Sequence, residues 1–356
     1  MIPYVEIKDK FSLKTIAIVE PQECWFELSY QDVGAFEIYC RASKANLAAL
    51  QKWRYVKIPN KRFIWLITSV RYTFTAGGAR MISATGYEAK WLLHRRCIQT
   101  PKELQGTITS AVYGLVNSNL GEAASAARMI TDGNGRLMLQ TDTNELLIDI
   151  SGTQAARGNL GEFVAKLLKT YNCGDIVTFE DGALKYKVYT GEVKTRSVRF
   201  SQSLDNLLAS EYLTDDSGIA TNALVVSTVE DVDYIQIYDT GATGIDRAEV
   251  LVNSNLSTKY EDASGTERET TPTSDLYKGW QTEEGKNALA EHTTLEDVSG
   301  EIDITNSSYK FDVHFFLGDL VGIQDEYFNF YTSKKIAKYT FKQVANGYGE
   351  NADYGG

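Results

Sequence analysis

The sequence predicts a β-rich α+β chain, with two small antiparallel β-barrels flanking an α+β domain and a further insertion in the second barrel. Three observations carry this expectation. Aromatic side chains suit pleated, half-buried surfaces, and the chain holds 21 Tyr, 14 Phe and 5 Trp. Short β-rich runs separated by turn residues fill both ends. Segments with a 3.6-residue apolar period cluster in the middle. At 356 residues the chain also exceeds the ~250–300 at which single cores stop growing, so several subdomains are expected.

Residues 1–96 read as the first barrel. Strands are expected at Ile16–Val19, Cys24–Leu28 and Gly34–Ile38. Ser43 can cap a short helix that ends near Trp53. Tyr55–Ile58, Phe63–Phe74 and Arg80–Thr85 follow as strands, with Gly77-Gly78 turning between the last two. Residues 97–205 read as α+β. Ile108, Ala111, Val112, Leu115 and Val116 share one helical face, as do Leu160, Phe163, Val164, Leu167, Leu168 and Tyr171. Asn159 is the expected N-cap of the second helix, with Glu162 forming a capping-box pair, and Asn172 and Gly174 stop it. Strands are expected at Leu137–Thr141 and Leu146–Ile150, then a hairpin, Ile176–Glu180 and Leu184–Tyr189, turning at Asp181-Gly182.

The second barrel is expected from residues 206–255 joined by 305–345. Its strands would be Asn222–Val229, Tyr234–Tyr238, Ala248–Val252, Tyr309–Phe316, Leu320–Ile323, Phe328–Tyr331 and Ile336–Phe341. Residues 256–304 read as an inserted flexible/α+β excursion, with a flexible polar stretch from Ser257 to Asp275 and a short helix from Glu283 to His292. The glycine-rich tail 346–356 is expected to fray. One internal echo links the ends: Tyr55–Ile58 followed by Val70–Phe74, and Leu320–Ile323 followed by Ala337–Phe341. It predicts that 55–74 and 320–341 occupy corresponding strands.

Composition excludes several function classes. The net charge of −11 argues against a basic nucleic-acid grip, although an acidic wall lets DNA slide past without sticking. Cys24, Cys40, Cys97 and Cys173 are scattered without CxxC spacing, so neither a zinc site nor a disulfide framework is expected, and a reducing compartment fits them. The opening residues lack a charged n-region and an apolar h-region, and no apolar run approaches the ~20 residues that span a bilayer. The expectation is a soluble protein without a secretion signal.

No catalytic, cofactor-binding or metal-binding residue is assigned. His94, His292 and His314 fall in three different expected elements, with nothing beside them that completes a triad. Asp215-Asp216 and Asp231-Val232-Asp233 lack the regular ligand spacing and closing Glu of a calcium loop, and turn chemistry accounts for both. Gly133-Asn134-Gly135 and Gly241–Gly244 lack the strand–helix setting and the lysine of a phosphate cradle, and read as hairpin loops. Among 47 acids nothing promotes a glycosidase pair.

Four stretches carry a resemblance: Gly34–Ile38, the Gly86-Tyr87-Glu88 to Leu93-His94-Arg95-Arg96 segment, Asn222–Val226, and above all Leu317-Gly318-Asp319-Leu320-Val321. In these, and in the order of its elements, the chain resembles the N-terminal hub region of phage tail-associated lysin proteins. That siphophage tail-tip family shares the fold of the contractile-phage central hub protein. The resemblance implies a structural virion subunit made in the bacterial host cytoplasm. It implies a homotrimer whose two barrels per subunit alternate around a ring with pseudo-six-fold symmetry. The implied partners are the six-fold distal tail protein, the C-terminus of the tape-measure protein and receptor-binding or lytic tail proteins. DNA would pass through the lumen unbound, and no membrane insertion is implied. Many such relatives continue into a hydrolase or receptor-binding region; this chain stops at Gly356, so a lytic role is not expected. The alternatives are a phage cell-wall or polysaccharide hydrolase, which would want a site, and a carbohydrate-binding adhesin module, which would want an export signal.

Purified protein should therefore leave peptidoglycan and host polysaccharide intact in zymography. A clearing band that one carboxylate substitution abolishes would overturn the non-enzymatic expectation.

Overall fold

The computed structural model describes residues 2–355 apart from 75–77, 100–101, 105, 133, 151–153, 157, 228–234, 255, 262–266, 293–294, 306, 328 and 345–346. The first strands, β1 (Val5–Lys8) and β2 (Thr15–Val19), pair antiparallel. β3 (Glu23–Ser29) and β4 (Ala35–Arg41) follow, with Phe26 opposite Phe36. Helix α1 (Lys44–Ala49) starts where the Ser43 hydroxyl accepts the Asn46 N–H, satisfying one orphan donor of the first turn. β5 (Tyr55–Lys57), β6 (Ile64–Phe74) and β7 (Arg80–Glu88) form a meander, and β7 returns to β4.

A 3-10 helix (Ala89–Arg95) leads into the middle segment: β8 (Lys102–Leu104), α2 (Ile108–Asn119), β9 (Leu139–Thr141), β10 (Gln154–Ala156), α3 (Leu160–Thr170), β11 (Gly174–Glu180) and β12 (Ala183–Tyr189). Asn159 caps α3 as expected, its side chain accepting the Glu162 N–H. The β11–β12 hairpin turns at Asp181-Gly182, both left-handed (φ 51° and 77°), which matches the right-handed twist of the flanking strands. Apolar faces of α2 and α3 bury Val112, Leu115, Val164 and Leu168 with Leu184 and Tyr186 of β12 in one core.

The rest of the chain contributes β13 (Arg199–Ser201), β14 (Leu207–Asp215), β15 (Asn222–Ser227), β16 (Ile235–Asp239), β17 (Glu249–Ser254), β18 (Lys259–Glu261), β19 (Glu267–Glu269), α4 (Asp275–Glu291), β20 (Leu295–Asp303), β21 (Leu320–Asp325), β22 (Phe330–Val344) and β23 (Gly347–Tyr354). Two compact units result, one of Met1–Ser210 with Val298–Gly356, the other of Glu211–Asp297.

The β-rich α+β class holds, but the strands of the first expected barrel and of the 305–345 half of the second join one 13-stranded sheet, in the order β14-β20-β23-β22-β3-β4-β7-β6-β5-β1-β2, with β21 attached beside β22 and β13 beside β21. No closed barrel is present among the described residues. β22 makes this fusion, because Lys338–Gln343 pair antiparallel with Ser29–Cys24 of β3. The second core lies under that seam, where Phe26, Trp65, Phe63 and Phe341 are fully buried, the Phe26 and Trp65 rings 4.9 Å apart.

Four expectations need correction. Residues 206–255 do not join 305–345 in a second barrel. β15, β16 and β17 pair only with one another, and α4 packs on them, Gly285 allowing close approach to Val225 and Tyr238. With that face covered by its own helix, the trio forms a separate unit, and the inserted part is 211–297 rather than 256–304. The polar stretch after Ser257 is ordered on both flanks as the β18–β19 ladder, anchored by Tyr260 against Trp280 (5.2 Å), with 262–266 outside the described residues. The tail does not fray: β23 lies between β20 and β22 and buries Ala352 and Tyr354. Its Gly, Asn and Asp content hides a period-2 pattern that only the paired neighbours reveal.

Smaller shifts have local causes. Leu146–Ile150 is no strand; its backbone caps α2 instead, Ile148 C=O accepting the Ile108 N–H. α4 begins at Asp275, eight residues before the expected helix, with Ser274 as its cap; its buried face of Tyr277, Gln281 and Gly285 lacks an apolar stripe. Expected strand Tyr309–Phe316 is a tight turn that stacks Phe311 on Phe316 (5.1 Å).

Phe341→Ala should lower unfolding free energy by about 3–5 kcal/mol, the cost of emptying a fully buried aromatic site, read as a shifted urea midpoint with unchanged slope.

Candidate assembly surface

The large sheet contains the same hydrogen-bonded unit twice. In the first copy Trp53 N–H donates to Ile67 C=O (2.7 Å), Ile67 N–H donates to Arg54 C=O (2.9 Å), Tyr55 sits opposite Leu66, and β6 bulges between Ile67 and Ser69. In the second, Gly318 N–H donates to Ile336 C=O (2.7 Å), Ile336 N–H donates to Asp319 C=O (3.0 Å), Leu320 sits opposite Lys335, and β22 bulges between Ile336 and Lys338. The residue entering each short strand is left-handed, Trp53 at φ 71° and Gly318 at φ 84°. Beyond each bulge the long strand pairs with its hairpin partner, β7 or β23, and that strand pairs with β4 or β20. Residues 55–74 and 320–341 thus fall on corresponding strands. The bulges align Val70 with Tyr339 rather than with Ala337, a two-residue shift that leaves every side chain on the same face. The likeness stops at the outer neighbours: β5 pairs antiparallel with β1, whereas β21 pairs parallel with β13.

The Leu317-Gly318-Asp319-Leu320-Val321 motif is the mechanical centre of the second copy. Gly318 lies against the Tyr30 ring, where a Cβ would come within 2.3 Å. Buried Asp319 accepts the Glu192 and Phe316 N–H groups (2.7 and 2.8 Å) and pairs with Lys194 at 3.0 Å. Tyr30 also packs on Gly174, and its hydroxyl donates to Asn172 C=O (2.9 Å), so one ring joins the end of β3, the connection from α3 into β11 and the turn before β21.

A buried ion cluster fixes the same C-terminal end of β3. Lys90 Nζ lies 3.1 Å from Glu88 and 3.2 Å from Asp175, and donates to the carbonyls of Ser29 (2.7 Å) and Asp175 (3.1 Å), with both Lys90 and Glu88 side chains only 3% exposed. Glu88 also accepts the Gly34 N–H (2.9 Å), and Tyr186 donates to Asp175 (2.9 Å). Burial pushes the Glu88 carboxyl up to about 7, against the pull of Lys90 and the Gly34 N–H. Burial opposes the Lys90 charge, but the two carboxylates outweigh it and hold the ammonium above its usual range. Nothing in the local sequence signalled this cluster, because Ser29 and Asp175 lie 61 and 85 residues from Lys90 in the chain.

The residues singled out earlier do not converge. His94 lies in the 3-10 helix against Gly161 of α3, and burial pushes its imidazole down. His292 ends α4, its Nδ1 donating to Gly218 C=O, and His314 Nδ1 accepts the Lys310 N–H in the 311–315 turn. Asp215 accepts the Ser217 N–H and Asp216 C=O the Ile219 N–H, which is turn chemistry. Asp231-Val232-Asp233, Gly77 and Gly133 lie outside the described residues; Gly135 and Gly241 occupy left-handed turn positions. Cys24, Cys40 and Cys173 are buried thiols and Cys97 is exposed. Among the described residues no group of three or more His, Cys, Asp or Glu could hold a metal ion, and no helix is long and apolar enough to cross a membrane.

What remains conspicuous among the described residues is open sheet edge. β14 and β2 end the strand order, and the outer half of β6 projects past β5, with Tyr72 and Phe74 56% and 69% exposed. Leu208 and Ile18 add apolar surface on the end strands. Exposed paired-strand edges are templates for another chain.

The fold is that of phage tail proteins. It is shared with the tail protein from Neisseria meningitidis MC58 (12% identity, 99% of this chain and 96% of that chain covered, TM-score 0.54). It is likewise shared with the 43 kDa tail protein of prophage MuSo2 from Shewanella oneidensis (11% identity, 99% and 98% covered, TM-score 0.55). The chain belongs to the siphovirus ReqiPepy6 Gp37-like protein family, whose model matches residues 6–350. No curated protein matches it. The chain thus combines membership of a siphovirus protein family with a fold that tail proteins share.

The Glu88 carboxyl titrates higher in the folded chain than in the unfolded one, so the unfolded chain releases that proton first. This group's contribution to stability is therefore full below the ordinary glutamate range and is lost as pH rises through about 7. Urea midpoints across that interval should fall with pH in the native chain, and Glu88→Gln should flatten that part of the curve; an unchanged slope would remove Glu88 as its cause.

Proposed function

We propose that this chain is a tail hub subunit, three copies of which close into a ring at the tip of the tail tube. The single observation that carries the reading is the doubled hydrogen-bonded unit around Ile67 and Ile336, two near-equivalent sheet elements within one chain. Three chains then present six near-equivalent positions, which matches a six-fold distal tail ring without requiring six chains. In this reading the ring docks on that distal ring, receives the C-terminus of the tape-measure protein, and surrounds the path of the DNA. The net charge of −11 favours passage of DNA without adhesion, because like charge keeps phosphate off the wall. Lytic or receptor-binding activity would belong to other tail proteins. Neither a hydrolase nor an adhesin reading has a specific observation in its favour.

Negative-stain images of the purified protein should show three-fold rings with a central hole, and light scattering should give the mass of three chains. A species that stays monomeric at every concentration, or a two-fold particle, would overturn the hub reading.

A further inference from the structure

We infer that the vacant β6 edge, Ser69–Phe74, is filled by the Leu207–Ser210 segment of β14 from a second copy of this chain, making the junction between subunits a backbone-paired seam. This rests on the ring reading above and names the surface that closes it.

The basis is an occupied counterpart in the same molecule. Counting from the two bulges, Ser69–Phe74 of β6 correspond to Lys338–Gln343 of β22. On β22 one edge of those six residues pairs with β23 and the other pairs with β3, immediately after the part held by β21. On β6 one edge pairs with β7, and β5 holds the start of the other edge at Ile64–Leu66. Among the described residues no strand follows β5 along that edge. Burial reports the same difference. Five of the six residues from Ser69 to Phe74 are exposed, whereas of the six on β22 only Lys342 is. Tyr72 is 56% exposed; its counterpart Phe341 is fully buried beside Phe26 of β3.

The occupant follows from the same correspondence. β3 stands third from β22's equivalent in the first copy, through the order β6, β7, β4, β3; in the second copy the order is β22, β23, β20, β14. β14 is therefore the counterpart of β3, held to β20 where Asp303 N–H donates to Asn206 C=O (3.1 Å), and it ends the sheet. Within the chain β3 of the first copy completes β22 of the second. Between chains β14 of the second copy would complete β6 of the first, antiparallel in the same way. Among the described residues each chain thus carries an open strand, β14, and an open slot beside β6 at different places, a head-to-tail contact that forms closed rings when its rotation closes. Main-chain bonds give such a seam its register, and the Tyr72, Phe74 and Leu208 side chains give it apolar area.

The test uses the full chain with a photoreactive benzoyl-phenylalanine at Tyr72, and separately the Tyr72→Asp/Phe74→Asp variant. Illumination should link copies, with the link mapped by mass spectrometry to 207–210 of a neighbour. The charged variant should dissociate the ring at least about 100-fold more readily, while circular dichroism and the thermal midpoint stay near those of the native chain because both sites are exposed in the monomer. Rings that form but link elsewhere, or that persist with both aspartates, overturn this seam and leave the hub reading standing. A native chain that stays monomeric and unlinked at every concentration overturns both.

Discussion

The large sheet depends on one strand being shared three ways. β22 offers its early residues to β21, its later residues to β3, and its opposite edge to β23. A backbone edge left unpaired in a dry interior costs about as much as the hydrogen bonds it forgoes, so the position of β22 is fixed by its neighbours and fixes them in return. The bulge between Ile336 and Lys338 is what allows it, since one extra residue re-aims the strand between its partners. The aromatic residues follow from this. Phe341 and Tyr339 are buried because β3 and β23 flank them, and the tyrosine hydroxyl escapes the cost of burial by donating to Glu350.

Lys90 plays a matching part for the middle segment. A buried ammonium is tolerable only when its charge and protons are matched, and here two carboxylates and two carbonyls converge on it. Those partners come from β3, from the end of β7 and from β11, so the cluster specifies a single arrangement in a way that apolar packing alone does not. Tyr30 and the glycines it meets at 174 and 318 do the same by shape, because no larger residue fits against the ring. The polar cluster thus holds both ends of one short segment, Ser29 C=O and Gly34 N–H, and the steric lock at Tyr30 stands within it.

Much of this fold was legible in the sequence where the signal was local. The helices at 108 and 160, the cap at Asn159 and the Asp181-Gly182 turn follow from periodicity and turn chemistry, which need no knowledge of neighbours. Long-range choices were not legible. The β-texture of 222–254 is as consistent with a barrel as with a separate sheet, and the partner that decides it, α4, has a buried face of Tyr277, Gln281 and Gly285 that no hydrophobic pattern announces. β23 was missed because its glycines and acidic residues have poor strand propensity; its neighbours impose the strand. The echo between 55–74 and 320–341 was visible as motifs, but its true alignment required the bulges, which leave no mark in composition. The edges of β6 and β14 that no described strand covers were invisible too, since an edge is a property of what stands beside it.

The doubled unit also explains where the second compact unit sits in the chain. In the first copy β3 and β4 are joined by the short turn 30–34; in the second, their counterparts β14 and β20 are joined through Glu211–Asp297. In the chain, a whole unit stands where the first copy has a short turn. Lengthening a surface connection is thermodynamically mild, about 0.6 kcal/mol for each doubling of a flexible loop, and less is lost when the inserted residues bury a core of their own, as α4 and its three strands do. The two copies could then diverge while keeping one hydrogen-bond scheme. Gly318 takes its left-handed backbone freely, whereas Trp53 adopts the same conformation against a steric cost of roughly 1–2 kcal/mol. The Trp53 ring is held by Trp91 and by the Arg95 guanidinium 4.0 Å from its centroid. Equal backbone geometry maintained by unlike side chains is what a repeat retains when its two copies face different neighbours: beside β22 stands β3, whereas no described strand stands at the corresponding edge of β6.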